Sequence, residues 1–218
     1  MVDFERARAQ MVESQLRGGG VTDAAILANM RAIPRENFVA LDRRDLAYMD
    51  AVQWLGEGTP RRFMAAPVTL AKLLALAEIS ATDTVLDIGA ASGYSTAILA
   101  GLAASVTGLE PDARLAATAT ANLAALDIAN AEIVAGDIAR LGKARFDVIV
   151  VEGALDAVPG PVMAALAEGG RLVALIQAGA VCLAHLFVRS GGEVTARPAF
   201  NAALPPLFAA RPDEDFVF

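Results

Sequence analysis

The chain is poor in the side chains on which many active sites and all disulfide scaffolds are built: its 218 residues hold one cysteine and one histidine. A lone Cys182 excludes an internal disulfide framework. No His/Cys/Asp cluster has metal-ligand spacing, so no metal is expected. Positive charge is scarce as well. Eighteen Lys and Arg against 25 Asp and Glu leave a net charge of −7 and a pI near 4.7. That balance argues against a nucleic-acid partner, whose phosphates require clustered cations, and the pairs Arg43-Arg44 and Arg61-Arg62 are too short to alter it. Long apolar runs are missing too. Although 56% of residues are hydrophobic and mean hydropathy is +0.48, no uninterrupted stretch reaches the roughly 18 residues of a membrane span, and much of the excess is alanine. The opening MVDFERARAQMVESQLR lacks the basic and apolar regions of an export signal. A cytoplasmic protein with no membrane partner is expected. The oligomeric state is left open.

Composition shifts near residue 80, dividing the chain into an expected N-terminal helical extension, residues 1–80, and a cofactor-binding domain, residues 81–218. The first part reads as helices with polar breaks. An amphipathic segment from about Phe4 to Leu16 stops at Gly18–Gly20, Thr22 is the expected cap of DAAILANMRAI, and Pro34 closes that helix. LGEGTPRR then breaks the chain ahead of a helix opened by Pro67. Beyond residue 80 strands and helices alternate. TVLDI, SVTGLE, AEIVAGD, FDVIVVEGA and RLVALIQ have strand composition; SGYSTAILAGLA, PDARLAATATANLAAL with Pro111 in its first turn, and PGPVMAALAEGG are helical. Alternation implies parallel pairing through right-handed crossovers. The stretch VCLAHLFVRSGGEVTARPAF instead reads as a hairpin turning at Ser190-Gly191-Gly192, with Cys182 and His185 as structural residues inside it. The predicted fold is α/β: a Rossmann-like, mostly parallel sheet with an antiparallel C-terminal edge hairpin, plus the helical extension.

In such a sheet the ligand lies at the carboxyl ends of the strands, where their order reverses. The stretch VLDIGAASGYSTAIL, residues 85–99, joins a strand to a helix through a small-residue loop suited to that place. Its spacing, Gly89-Ala90-Ala91-Ser92-Gly93, lacks the third glycine of a dinucleotide fingerprint, which disfavours a nicotinamide oxidoreductase. Asp87 just before it is awkward for a pyrophosphate and useful for a cationic ligand. Glu110, closing the next strand, can accept both hydroxyls of a ribose, and Asp137 can accept an amine hydrogen bond. A ligand with a ribose, an adenine, a sulfonium and an ammonium fits the set, which is S-adenosylmethionine. The expected cofactor site is Asp87, Gly89, Ala91, Gly93 and Tyr94 around the loop and methionine moiety, Glu110 on the ribose, and Asp137 with Ile138 near the adenine.

VLDIGAASGYSTAILA resembles the first motif of class I methyltransferases, and in particular of protein-L-isoaspartate O-methyltransferases. The likeness extends through Gln-Leu-Arg, Asp-x-x-x-Leu-x-x-Met and Pro-Arg-Glu-x-Phe-Val within residues 11–39, through AYMD and GGRLV, and more loosely to AALPPL near the end. It implies a seven-stranded methyltransferase sheet, S-adenosylmethionine as donor, S-adenosylhomocysteine as product, and repair of a damaged aspartyl residue in a protein or peptide.

The departures from that family concern the acceptor side. A Thr-Ile-Ser-Gln-Pro stretch of the family corresponds here to FMAAP, so Ala65 stands at the position of the family serine, Ala66 replaces glutamine, and Pro67 is kept. Glu152 stands where the family has a small uncharged residue, and Ala91 replaces the middle glycine of the loop. Ala65 and Glu152 are therefore the expected catalytic-side positions, with Ala66, Pro67, Leu204 and Pro205 toward the substrate. A lost hydroxyl and an added carboxyl beside an acceptor carboxylate would weaken methylation. Two alternatives follow: a methyltransferase on this scaffold with another acceptor, for which Glu152 binds a cation or takes a proton, and a non-catalytic binder of S-adenosylmethionine or S-adenosylhomocysteine.

Overall fold

Parallel strands buried on both faces need near-continuous β-branched and leucine-rich runs, and those runs build the central sheet. The structure, a computed structural model, describes residues 2–58, 60–179 and 181–208. Strands β3 (Thr84–Ile88), β4 (Ser105–Glu110), β5 (Ala131–Ala135), β6 (Phe146–Leu155), β7 (Leu166–Ala178), β8 (Val181–Ser190) and β9 (Glu193–Ala202) form one seven-stranded sheet in the order β5-β4-β3-β6-β7-β8-β9. The first five pair in parallel; β7–β8 and β8–β9 are antiparallel. The edge hairpin turns at Gly191 and Gly192, both with positive φ, and Glu168 accepts both of their amide protons. From β3 the chain steps outward through β4 to β5, then returns to the other side of β3 with β6. The carboxyl ends of β3 and β6 thus flank the topological switch point.

Helices α3 (Pro67–Ala77), α4 (Tyr94–Ala100), α5 (Ala113–Ala125) and α6 (Gly160–Ala164) connect the strands. Ahead of them, α1 (Phe4–Gln10) runs into a π-helical turn over Met11–Leu16, and α2 (Ala24–Ala32) follows the three glycines. Two differences from the expected punctuation have simple causes. Asp23, not Thr22, caps α2, accepting from the amides of Ala25 and Ile26; Asp112 does the same for α5, so that Pro111 precedes the helix and does not stand in its first turn. In each case the carboxylate has the reach to bridge two amides. A further difference is β1 (Gln53–Leu55) paired with β2 (Arg62–Met64), an antiparallel hairpin in a region read as helices with polar breaks.

One core joins the first 80 residues to the sheet. Met11, Leu16, Met30, Phe38 and Leu74 share a cluster with Val85, Ile98 and Val173, while the opposite sheet face packs Leu86, Ile149 and Leu172 with Val162 of α6. Arg35 reinforces the junction: wholly buried, it donates from Nε to the Ala47 carbonyl and from Nη2 to the Ala65 carbonyl, both at 2.7 Å, and stacks over the Tyr94 ring at 4.7 Å. Neighbouring motif residues act likewise. Tyr48 donates to Glu36, Gln15 donates to the Tyr48 carbonyl, and Asp50 accepts from the Val68 amide, supplying the cap that Ala66 cannot give α3. Among the described residues no helix is long and apolar enough to cross a membrane.

Capping by Asp23 gives a direct expectation. Asp23→Ala lowers stability by about 0.5–2 kcal/mol, and Thr22→Ala by less than about 0.5 kcal/mol, in urea denaturation; equal losses would place the cap at Thr22.

Candidate active site

At the end of β3 the chain must turn sharply into α4, and the loop does so with Gly89, Ala91 and Gly93 all at positive φ, +92°, +51° and +91°. Ala91 carries a Cβ in that region at a cost of about 1 kcal/mol. Gly93 has no such option, because a Cβ there would stand 3.0 Å from that of Ala119 in α5. The Gly89 and Ala90 amides donate to the Leu109 carbonyl, tying the loop to β4. Asp87, fully buried, receives the Ser95 and Thr96 hydroxyls at 2.7 and 2.6 Å on Oδ2, while Oδ1 has no hydrogen-bond partner among the described residues. Burial pushes its carboxyl up to about 6; the two hydroxyls oppose the shift and the charge on Glu110 adds to it.

Glu110, also fully buried, is saturated. Its Oε1 accepts from the Asp112 amide and from Arg62 Nε, both at 3.0 Å; Oε2 accepts from the Ala91 amide and from Arg62 Nη2, both at 2.8 Å. Arg62 comes from β2, and its Nη1 donates at 3.2 Å to the carbonyl of Leu207. The segment holding Leu207 continues the sheet: the Ala154 amide donates to the Pro205 carbonyl and the Leu207 amide to the Ala154 carbonyl, each at 3.0 Å. Leu207 then lies over Gly89 and Gly153, and a Cβ on Gly89 would come within 2.7 Å of its Cδ1.

Two cavities flank this arrangement. One, of about 230 Å³, runs between Ile88, Leu109, Gly136, Asp137, Ile138 and Leu207 and is almost wholly apolar, a slot suited to a planar base. Asp137 stands exposed at its rim, one carboxylate oxygen accepting the Ala139 amide. The other, only about 10 Å³, gathers Ala65, Gly89, Ala91, Tyr94 and Glu152. Glu152 is 4% exposed and its Oε1 has no partner among the described residues. Burial holds its carboxyl well above the ordinary 4.5, Asp87's charge raises it further, and Arg35 opposes. Neither neighbouring arginine pairs with it: Arg62 is engaged with Glu110, and Arg61 donates to the Gly56 carbonyl while stacking on Trp54.

The structure thus brings the loop residues, Glu110, Asp137 and Ile138 to one switch point, and Ala65 and Glu152 to one small cavity beside it. Four other expected residues lie elsewhere. Pro67 opens α3 and Ala66 precedes it; neither lines these cavities. Leu204 packs into the core and Pro205 contributes a backbone carbonyl, while Leu207 and Phe208 of the same segment line the apolar slot. Arg62 was not anticipated as the partner of Glu110. Its only sequence signal is a basic residue three positions before Ala65.

The chemistry of the donors fits a cationic adenosyl ligand on one side. Asp87 Oδ1 is a buried acceptor without a donor, Gly89 leaves the loop bare, and the slot accepts a base. On the other side both oxygens of Glu110 are already occupied, each by one backbone amide and one nitrogen of Arg62.

The sequence profile of the protein-L-isoaspartate(D-aspartate) O-methyltransferase family matches residues 6–208. A protein-L-isoaspartate O-methyltransferase of Methanoculleus marisnigri is 40% identical over 171 residues, 78% of this chain and 76% of that protein. One from Pelobacter propionicus is 37% identical over 192 residues, covering 87% and 84%. A crystal structure described as a protein-L-isoaspartate O-methyltransferase of Plasmodium falciparum in complex with S-adenosyl-L-homocysteine superposes with a TM-score of 0.79 at 20% identity over 92% of this chain and 97% of that one, a likeness of fold.

Glu152 makes stability depend on pH with a definite sign. The folded state holds its proton beyond the unfolded value of 4.5, so the stability it retains in acid is lost as pH rises from there, at up to about 1.4 kcal/mol per pH unit. Glu152→Gln therefore stabilises the protein at pH 8 and less so at pH 4.5, by urea denaturation at both; equal effects would mean the carboxyl is ionised in the fold.

Proposed function

The chain belongs to the protein-L-isoaspartate(D-aspartate) O-methyltransferase family, and from that premise we propose that it methylates the carboxylate of a damaged aspartyl residue in a protein or peptide, with S-adenosylmethionine as donor. The observation that carries this reading is the convergence of the Gly89–Gly93 loop, buried Glu110 and the apolar slot at Ile138 on one switch point. Glu110 holds the ribose hydroxyls in this reading, Asp137 and Ile138 border the adenine, and Asp87 with Tyr94 and the loop surrounds the methionine portion. When bound, the cofactor supplies an electrophilic methyl on a sulfonium. A carboxylate oxygen forms the new bond to carbon as the carbon–sulfur bond breaks, and S-adenosylhomocysteine leaves.

An aspartyl carboxylate is ionised at pH 7, so the chain has no proton to remove from it. Its contribution is alignment in a water-poor cleft, where effective molarity supplies the rate. Ala65 and Glu152 set the terms on the acceptor side. Two carboxyl groups sharing that small cavity cannot both be charged. Because burial favours the neutral form of Glu152, the acceptor is the one left ionised and nucleophilic. The backbone of Ala65, fixed by Arg35, presents a methyl where the family has a hydroxyl. The tightness of the cavity, about 10 Å³, favours a second reading, a smaller or different acceptor on the same scaffold.

Calorimetric titration with S-adenosylmethionine and S-adenosylhomocysteine, followed by radiolabelled methyl transfer to an isoaspartyl peptide, tests the proposal. Binding with transfer is expected. Ala65→Ser combined with Glu152→Thr should raise transfer about tenfold, the worth of one hydrogen bond to a charged group. Binding without transfer, in the wild type and in the double variant, would point to another acceptor, and no binding would overturn the reading.

A further inference from the structure

Glu110 is the acid expected to receive a ribose, yet both its oxygens are held by the chain itself. Each oxygen takes one backbone amide, from Asp112 or Ala91, and one nitrogen of the Arg62 fork. Withdrawing Arg62 would leave the two amide bonds intact and free one acceptor position on each oxygen. Two adjacent acceptors are what a cis-diol requires. We propose that Arg62 is an internal competitor for the diol site: paired as it is with Glu110 it closes that site, and the cofactor binds by exchanging the guanidinium for its two ribose hydroxyls. This rests on the reading of the site given above and adds how access to it is controlled.

Three further observations carry the exchange. Arg62 borders both the apolar slot and an adjoining, more open cavity of about 380 Å³, so the guanidinium forms part of the wall between them. That second cavity is also lined by Glu57 and Asp112, carboxylates to which a displaced guanidinium can move without leaving charged company. The same side chain holds the Leu207 carbonyl, and Leu207 covers Gly89. Release of Arg62 therefore frees the diol acceptors and loosens the side chain lying on the loop in one motion. A bidentate Arg–carboxylate pair with 7% and 0% side-chain exposure holds both carboxylate oxygens at once, so its withdrawal frees both together. Its effect on a ligand is a reduction of apparent affinity by the open fraction: a pair closed in about 90% of molecules weakens binding about tenfold.

The test is calorimetry of the full chain with S-adenosylhomocysteine, comparing wild type, Arg62→Gln and Arg62→Lys, with folding checked by circular dichroism. Arg62→Gln should bind at least about tenfold more tightly than wild type. Arg62→Lys, which keeps a cation but cannot bridge both oxygens, should fall between them and serves on its own if the glutamine variant does not fold. As a control, 2′,3′-dideoxyadenosine, which has no diol, should gain far less from either substitution than S-adenosylhomocysteine does, by ligand-observed NMR. Equal or weaker binding of S-adenosylhomocysteine by the folded variants overturns the competition while leaving the cofactor reading in place. No binding by any form overturns both.

Discussion

Three carboxyl groups buried within one switch point set the constraint around which this structure is arranged. Asp87, Glu110 and Glu152, at or near the carboxyl ends of β3, β4 and β6, are each 4% exposed or less. An unpartnered buried carboxylate is costly, so each must be neutralised in its own way. Glu110 takes the guanidinium of Arg62 and two amides, Asp87 takes two hydroxyls from the first turn of α4, and burial pushes the Glu152 carboxyl toward its protonated form. The three solutions are coupled, because a charge on one raises the cost of charge on the next. A cationic ligand entering here meets a site whose negative charge is assembled in advance and held in check by one movable arginine.

The N-terminal segment is as much a part of this site as the sheet. Arg35 fixes the Ala65 backbone against Tyr94, and β2 delivers Arg62 to the end of β4. The residues through which the chain resembles its family outside the loop, among them Gln15, Arg35, Glu36, Tyr48 and Asp50, are joined by hydrogen bonds that position this segment. These bonds hold Ala65 and its neighbours beside the Gly89–Gly93 loop.

The sheet was legible because each strand is a compact apolar run punctuated by an acid or a glycine, and the alternation with helices leaves few topologies. The β1–β2 hairpin was not, since three-residue strands such as QWL and RFM are too short to show a period of two. Local pattern could name Glu110 as an acceptor but could not supply its partner, which lies 48 residues away. At the C-terminal segment the difficulty is register. Along an extended backbone, neighbouring side chains face opposite ways, so the choice between Leu204 and Leu207 as the residue over the site depends on the pairing at Ala154. Ala65 and Glu152 stood out only against a related family, because an alanine and a glutamate carry no signal by themselves.

The contact between Arg62 and Leu207 joins residues 145 positions apart, from β2 to the segment that follows β9. Everything else at the switch point is built from nearer neighbours: loop to β4, β4 to α5, β3 to β6. Loop-closure entropy disfavours the longest closure most. The segment holding Leu207 follows the strands of the sheet, so during synthesis the sheet can assemble with its cleft exposed, and the roof is added only when that segment pairs at Ala154. Shutting of the cleft is in this sense the last of these steps to become possible.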